Sequence, residues 1–259
     1  MMFDFPLHQL QQFMFVFVRV GAILFSVPFF GSANIPARLK AGLSFMVSLI
    51  AYPLVKFNGI TFPTDVFTLS LSLLSEVFIG LIIGYTSRLV FAGVQVAGHL
   101  IGFQMGFGII NVIDPTTSSQ VSVTSQFENI LAMLIFLSIN AHHWFLKGII
   151  DSFNLVPLFG SHFSGALANA IMEMFKNIFV IALKLGGAVI ATLFFTSVAL
   201  GLIARTVPQI NVFIVGFPLQ IGIGLLMIGL TISFFNMAMK NIFVQMGKNM
   251  YILMKGMGQ

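Results

Sequence analysis

The chain has 259 residues, of which 58% are hydrophobic and only 7% are charged. A typical soluble domain has about 25% charged residues, so these few charges cannot cover a globular core with a polar surface. The composition argues against a soluble enzyme and predicts an all-α protein surrounded by lipid, by partner subunits or by both. The net charge of +5 comes from 12 basic residues without a basic run, which argues against nucleic acid as a partner.

The first half of the chain contains three predicted apolar stretches. Residues 5–30 form the first one, which Arg19 interrupts, and a turn at 31–36 separates it from a shorter stretch at 41–55. Residues 66–97 form a continuous helical run that carries Glu76 and Arg88. A glycine-rich apolar segment, 98–113, and a polar loop, 114–126, follow. Ser125 and Glu128 have the spacing of a capping box, which predicts that a helix restarts there.

The second half contains a predicted helix at 129–150, a loop at 151–165, long runs at 168–204 and 211–239, and a tail with three lysines. Five or six stretches are candidates for spanning a bilayer, which requires about 20 residues. The runs at 66–97 and 168–204 exceed that length and contain ions such as Lys184. Each ion facing lipid at mid-depth would cost roughly 2.5–3.5 kcal/mol. We therefore expect these helices to face protein or an aqueous path over much of their length.

Glycines 98, 102 and 106 recur at every fourth residue and would share one helical face. Such small faces let two backbones approach closely, and helix packing is the favoured interpretation for Gly80 and Gly84. The segment after Gly98 has a second interpretation as a movable plug, in which bulky side chains close a channel and glycines supply conformational freedom. The residues predicted to plug or gate the channel are Gly102, Phe103, Met105, Gly106, Phe107, Gly108, Ile109, Ile110, Asp114 and Pro115.

Catalytic motifs are absent from the sequence, and we predict no enzyme activity, no cofactor and no metal site. The adjacent His142 and His143 differ by about 100° on a helix, unlike an i, i+4 metal-binding pair. Glu173 and Lys176 have the spacing of a local ion pair. Glu76 has two interpretations, as an intramembrane proton site or as a paired structural carboxylate.

The segment 201–218 predicts a tight polar hairpin between two long apolar helices. Pro208 should break the helix because proline lacks an N–H group and clashes with the preceding turn, and Pro218 should kink the next run. Side chains in the hairpin can bond the backbone groups that are freed. The charged and polar residues predicted to have structural roles in the chain are Arg19, Glu76, Arg88, Lys184, Arg205, Gln209 and Asn211.

This hairpin resembles the GL-x-x-R-x-x-PQ-x-NVF-x-x-G-x-P signature of the FliR family of flagellar and virulence type III export proteins. The resemblance extends over essentially the whole chain, although Asn140-Ala141 stand where the family pattern has a glycine. The further matching positions are Arg19, Gly21, Pro28, Gly31, Pro36, Glu76, Gly80, Gly84, Gly93, Gly98, Gly102, Gln104, Gly106, Asp114, Pro115, His142, His143, Ser152 and Pro157.

The resemblance implies one copy of this chain in an export gate with FliP and FliQ subunits, wound into a helical, cone-like assembly. It implies a FliP-like part at 1–165 and a FliQ-like helical hairpin at 166–259, with a central plug loop at 102–126. The implied location is the flagellar basal body in the bacterial inner membrane, in contact with lipid. Export components of the FlhB and FlhA types and unfolded exported proteins are the further implied partners. The overall pattern favours the flagellar over the virulence system.

The alternative function from another class is a polytopic secondary transporter that uses Glu76 as its proton site. Such a transporter would require internal repeats with interrupted helices in corresponding halves. Glycine and proline interruptions occur near 102–115 and 208–218, but the two halves show no convincing repeat. An intramembrane hydrolase ranks third because no nucleophile and base can be identified together.

Overall fold

The computed structural model describes residues 7–32, 35–57, 62–63, 65–108, 122–160, 162, 164–207, 209 and 212–258, and for 7, 212 and 213 the backbone alone. Every regular element in these ranges is helical, which confirms the all-α prediction. A short 3₁₀ turn, Tyr52–Leu54, follows the third helix. The helices are α1 Leu7–Ser26, α2 Pro28–Gly31, α3 Ala37–Ala51, α4 Val66–Gln104, α5 Val123–Ser138, α6 Ala141–Leu155, α7 Gly165–Thr206 and α8 Val212–Gly258.

Four of these helices are long and apolar enough to cross a bilayer: His8–Ser26, Val66–Gln104, Gly165–Thr206 and Ile214–Gly258. The pair α5 and α6 would add a fifth span if it crosses as one broken segment. The prediction of five or six candidate stretches therefore becomes four or five in the described part of the chain. These lengths and compositions are those of a membrane protein.

The chain divides into two compact units. The first unit combines Met1–Leu89, Asn140–Met174 and Val244–Gln259. In it, α4 crosses α1 at two glycines. A Cβ on Gly80 would lie 2.5 Å from Cβ of Ala22, and one on Gly84 would lie 2.3 Å from Cβ of Ser26. Such close approaches require glycine, and they confirm that Gly80 and Gly84 serve helix packing.

The second unit combines Val90–Ile139 and Phe175–Phe243. The rings of Phe91, Phe136 and Phe243 meet in its core with centroids 5.3 to 6.0 Å apart. The predicted boundary at 165/166 coincides with the start of α7, and both units take residues from both sides of it. The assignment of FliP-like and FliQ-like parts stays a prediction.

Three sequence-based boundaries differ from the structure. The predicted helix 129–150 is two helices, because Asn140 adopts the left-handed conformation with φ 56°. Asparagine tolerates this conformation better than most residues. The predicted loop at 151–165 is partly helical, since α6 continues to Leu155. The predicted lysine tail is helical as well, because α8 runs without interruption to Gly258.

The predicted capping box at Ser125 is wrong. Helix α5 begins at Val123, after Ser122, so Ser125 lies within its first turn. Its hydroxyl donates to the carbonyl of Gln95 on α4 at 3.2 Å and is not used as a cap. The reason is tertiary: α4 lies close enough to offer an acceptor to this side chain.

Candidate functional site

The end of α4 contains the described part of the predicted plug, and a specific backbone motif terminates the helix there. The amide of Phe107 donates to the carbonyl of Gly102, and the amide of Gly106 donates to the carbonyl of Phe103, both at 3.1 Å. This pair of bonds defines a Schellman motif, which places a left-handed residue just after the helix. Gly106 fills that position with φ +91°. The helix therefore ends at Gln104 because Gly106 turns the chain there.

The residues around this turn anchor it in an apolar cluster of the second unit. Ile101 and Met105 are fully buried together with Val189 and Leu193 of α7. Partly buried side chains of the turn, α7 and α8 surround this core, namely Phe107, Ile190, Ile221, Ile223, Met227 and Ile228. The last turn of α4 thus packs against the α7–α8 hairpin.

Two contacts with α8 fit the turn closely. A Cβ on Gly224 would lie 2.7 Å from Cγ of Met105, so the glycine makes room for the methionine side chain. A Cβ on Gly106 would lie 2.6 Å from Cδ1 of the Phe217 ring. Neither Phe217 nor Gly224 was among the residues predicted from the sequence to plug or gate the channel. The signal available for Gly224 was the run Ile221-Gly222-Ile223-Gly224, in which glycines alternate with large side chains.

The other face of α4 packs against the start of α5 through glycines. A Cβ on Gly98 would lie 2.3 Å from Cα of Ser125, and one on Gly102 would lie 2.3 Å from Oγ of Ser122. The Ser122 hydroxyl also donates to the carbonyl of Gly98 at 3.4 Å and lies 2.7 Å from Oγ1 of Thr124. The residues on either side of the 109–121 segment are therefore both held next to α4.

The predicted plug residues occupy contrasting environments. Met105 is buried, Phe107 is partly buried, and Phe103 is 75% exposed. A Cβ on Gly108 would lie 3.0 Å from the Phe103 ring. Met105 and Phe107 are thus held within the fold, whereas the ring of Phe103 projects from it. The remaining predicted plug residues lie outside the described part of the chain: Ile109, Ile110, Asp114 and Pro115.

Arg19 and Glu76 form a second polar site, buried in the first unit. Nε of Arg19 donates to Oε2 of Glu76 at 2.5 Å, and both side chains are almost completely inaccessible. Nη1 of Arg19 donates to the carbonyls of Ser152 and Val156 at 3.0 and 2.7 Å. The guanidinium also lies 4.4 Å from the centre of the Phe153 ring. Arg19 therefore joins α1 to α4 and caps the end of α6, where helix carbonyls lack intrahelical partners.

The other predicted structural residues are less buried. Arg88 donates from Nε to the carbonyl of Ser26 at 2.7 Å and from Nη2 to the carbonyl of Phe25 at 3.1 Å. The side chains of Lys184, Arg205 and Gln209 are exposed, whereas Pro208 and Asn211 lie outside the described residues. Glu173 and Lys176 are also exposed, and the predicted ion pair between them is absent from this described helix.

Pro218 does not interrupt α8, which is helical on both sides of it. Proline removes one backbone hydrogen bond and crowds the carbonyl four residues earlier. In this case the position lies in the second turn of a 47-residue helix, and a single lost bond leaves the rest of the hydrogen-bond ladder intact. Pro218 is therefore not the end of a helix, and the predicted kink at this position stays a prediction.

The histidine pair lies at the start of α6. The centroids of the His142 and His143 rings are 4.2 Å apart. The two rings therefore touch, although adjacent residues point about 100° apart around a helix. Among the described residues, no group of three or more histidine, aspartate or glutamate side chains could hold a metal ion.

The sequence matches known proteins over most of its length. A family model described as "Bacterial export proteins, family 1" matches residues 10–246. The flagellar biosynthetic protein FliR of Bacillus subtilis (strain 168) is 37% identical over 238 residues, which cover 89% of this chain and 90% of that protein. The proteins of the same name from Pectobacterium carotovorum subsp. carotovorum and Escherichia coli (strain K12) are 34% and 30% identical, over 85% and 80% of this chain and 83% and 79% of their own lengths.

Proposed function

The chain belongs to the family described as bacterial export proteins, family 1, and we propose that it is a non-enzymatic subunit of the flagellar protein export gate. In this role it helps to form and to close the channel through which unfolded flagellar subunits pass. The relatives carry the name flagellar biosynthetic protein FliR, which supports the flagellar system over the virulence system. The energy for transport would come from other components, because the sequence contains no nucleotide-binding motif.

The observation that carries the gating role is the anchored end of α4. Met105 fixes this end in the α7–α8 hairpin, Gly106 turns the chain, and Phe103 remains exposed. Ser122 and Ser125 fasten the far end of the 102–126 loop to the same helix. A loop held at both ends next to one helix can obstruct a channel without detaching from the wall, which is what a reclosable plug requires.

The assembly we propose contains one copy of this chain with FliP and FliQ homologues, in the basal body at the bacterial inner membrane. Residues 1–165 would correspond to the FliP-like part, and residues 166–259, with α7 and α8, to the FliQ-like hairpin. Components of the FlhB and FlhA types would be neighbours. Large exposed apolar side chains on α7 and α8 support such an assembly, among them Phe179, Phe195 and Leu230 with 67%, 69% and 70% of their surfaces accessible.

The assembly is tested by co-expressing the full chain with FliP and FliQ homologues and recording native mass spectra. We expect one large complex that contains a single copy of this chain. A monodisperse monomer or homodimer that ignores both partners would contradict the proposal. The transporter alternative predicts such a free monomer or homodimer, since a transporter should be stable without FliP and FliQ homologues.

The plug is tested by ion leakage through the closed gate in membrane vesicles. We expect replacement of Gly106 and Phe107 by alanine, combined with removal of part of the 109–121 segment, to increase the leak. The control is Lys147→Ala, which truncates an exposed side chain on α6 and should leave the leak unchanged. A leak equal to that of the parent protein in the plug variant would refute the plug and leave the gate assignment intact.

The structure gives no support to Glu76 as a proton site. Its carboxylate is buried and bound to Arg19. A proton carrier must exchange protons with an aqueous path, whereas a carboxylate paired in a packed core is suited to holding helices together. The family match also favours an export component over a transporter.

A further inference from the structure

The first unit contains an apolar pocket where α1, α2 and α3 meet. Its volume is about 190 Å³, and the side chains that line it include Leu24, Phe30, Leu39 and Leu43. Lys40 lies at the same pocket and is the charged residue among its lining groups. The proposed gating role makes no use of this pocket, which lies within one compact unit.

Two cations converge on the turn beside this pocket. Nζ of Lys40 donates to the carbonyl of Gly31 at 3.1 Å and lies 5.9 Å from the centre of the Phe25 ring, which also lines the pocket. Nη2 of Arg88 donates to the carbonyl of Phe25 at 3.1 Å. The same nitrogen lies 3.7 Å from the position of a Cβ on Gly31, so both cations border this one glycine.

Neither cation has a carboxylate partner within 4.0 Å in the part of the chain that the structure describes. Arg88 is exposed and Lys40 is partly buried, and each retains N–H donors beyond the bonds to backbone carbonyls. Two like charges close together repel each other, and an anion between them removes that repulsion.

We propose that this corner binds an anionic phospholipid. The phosphate lies between Lys40 and Arg88, and part of an acyl chain occupies the pocket lined by Leu24, Leu39 and Leu43. Arginine and lysine are the usual phosphate ligands in proteins, and basic residues next to membrane-spanning segments attract anionic lipid headgroups. A free inorganic anion would satisfy the cations but leave the apolar pocket without a ligand, so the two features together favour a lipid. This inference does not depend on the export-gate proposal.

The test is native mass spectrometry of the full chain in detergent with dioleoylphosphatidylglycerol or dioleoylphosphatidylcholine. We expect phosphatidylglycerol to be retained in preference to phosphatidylcholine. Lys40→Gln should reduce phosphatidylglycerol retention about fivefold, which corresponds to the loss of one lysine–lipid attraction. Lys147→Gln removes an equal charge from an exposed site on α6 and should leave retention unchanged. Leu43→Trp fills the pocket and should weaken retention of the same lipid.

Three results would overturn the proposal. The first is equal retention of the two lipids by the parent protein. The second is unchanged phosphatidylglycerol retention in Lys40→Gln, a variant that removes the lysine charge and its single bond to the Gly31 carbonyl. The third is complete displacement of phosphatidylglycerol by inorganic phosphate together with unchanged retention in Leu43→Trp, which would identify a site for free anions.

Discussion

At the scale of single residues, Arg19 and Glu76 determine how three helices meet. The pair is buried, and Arg19 also binds two carbonyls at the end of α6. The net contribution of such a pair to stability can be small, because removing two charges from water offsets much of their attraction. Removal of only one partner is different, since the remaining group stays buried without compensation.

Glu76→Gln is therefore expected to destabilise the protein by about 3–5 kcal/mol, because it leaves the Arg19 charge buried without a counter-ion. The measurement is the unfolding free energy in mixed detergent, followed by circular dichroism. The control is Glu173→Gln, the same change at an exposed position of α7, which should stay within about 0.5 kcal/mol of the parent. The double variant Arg19→Met with Glu76→Leu should recover much of the loss. A single variant as stable as the parent would show that the pair does not hold these helices together.

At the scale of helices, glycines decide how closely α4 can approach its neighbours and where it ends. Gly80 and Gly84 face α1, Gly98 and Gly102 face α5, and Gly106 ends the helix. The periodicity of these glycines is visible in the sequence, but their neighbours are not. Each approach depends on a particular partner residue, such as Ser125 opposite Gly98.

Gly106→Ala is expected to destabilise the end of α4 by about 1–2 kcal/mol, because alanine disfavours the left-handed conformation that the Schellman motif requires. The added Cβ would also clash with the Phe217 ring, which destabilises the protein further. The double variant Gly106→Ala with Phe217→Ala should remove the part of the destabilisation that comes from this clash. Thermal unfolding in detergent measures the effect. Gly201→Ala is the matched control, since nothing lies within 4 Å of its Cβ position, and it should be neutral or stabilising. Equal midpoints for the two alanine variants would exclude the proposed role of the motif.

Gly98→Ala is expected to cost about 1–3 kcal/mol, the usual range for overpacking. The added carbon would meet Cα of Ser125 at 2.3 Å, and a backbone atom cannot move aside as a flexible side chain can. The start of α5 must therefore shift. Hydrogen exchange of α5 amides provides the readout, and faster exchange than in Gly201→Ala is the expected result. Unaltered protection of α5 would show that the two helices tolerate separation at this point.

At the scale of the whole molecule, the described chain exposes many large apolar side chains along its longest helices. Phe194 and Phe195 on α7 have 56% and 69% of their surfaces accessible, and Leu226 on α8 has 61%. An isolated soluble protein rarely exposes extended apolar surfaces. These faces therefore require lipid or partner subunits, in agreement with the membrane class that the composition predicts.

Phe195→Lys places a charge on one of these apolar faces. We expect it to reduce recovery of the chain in complex with FliP and FliQ homologues at least tenfold, because a lysine facing lipid costs about 2.5–3.5 kcal/mol and one in an apolar interface costs a comparable amount. Phe195→Leu keeps the face apolar and should be recovered like the parent. Quantitative co-purification measures both variants. Equal recovery of the lysine variant would show that water contacts this face in the assembly.

Several properties follow from the sequence by itself. The shortage of charge determined the membrane class, and apolar runs located the long helices, because these signals are local and every backbone group in lipid needs an intrahelical partner. The hairpin motif at 201–218 indicated the family to which the chain belongs.

The tertiary structure alone decided which residues meet and how they are used. It paired Arg19 with Glu76, gave Ser125 an acceptor on α4 in place of a capping role, and placed Met105 against Gly224. Each of these contacts joins residues that are far apart in the chain, so neither spacing nor periodicity contains it. The continuity of α8 through Pro218 has the same origin, because long helices gain most of their stability from packing and local propensity yields to it.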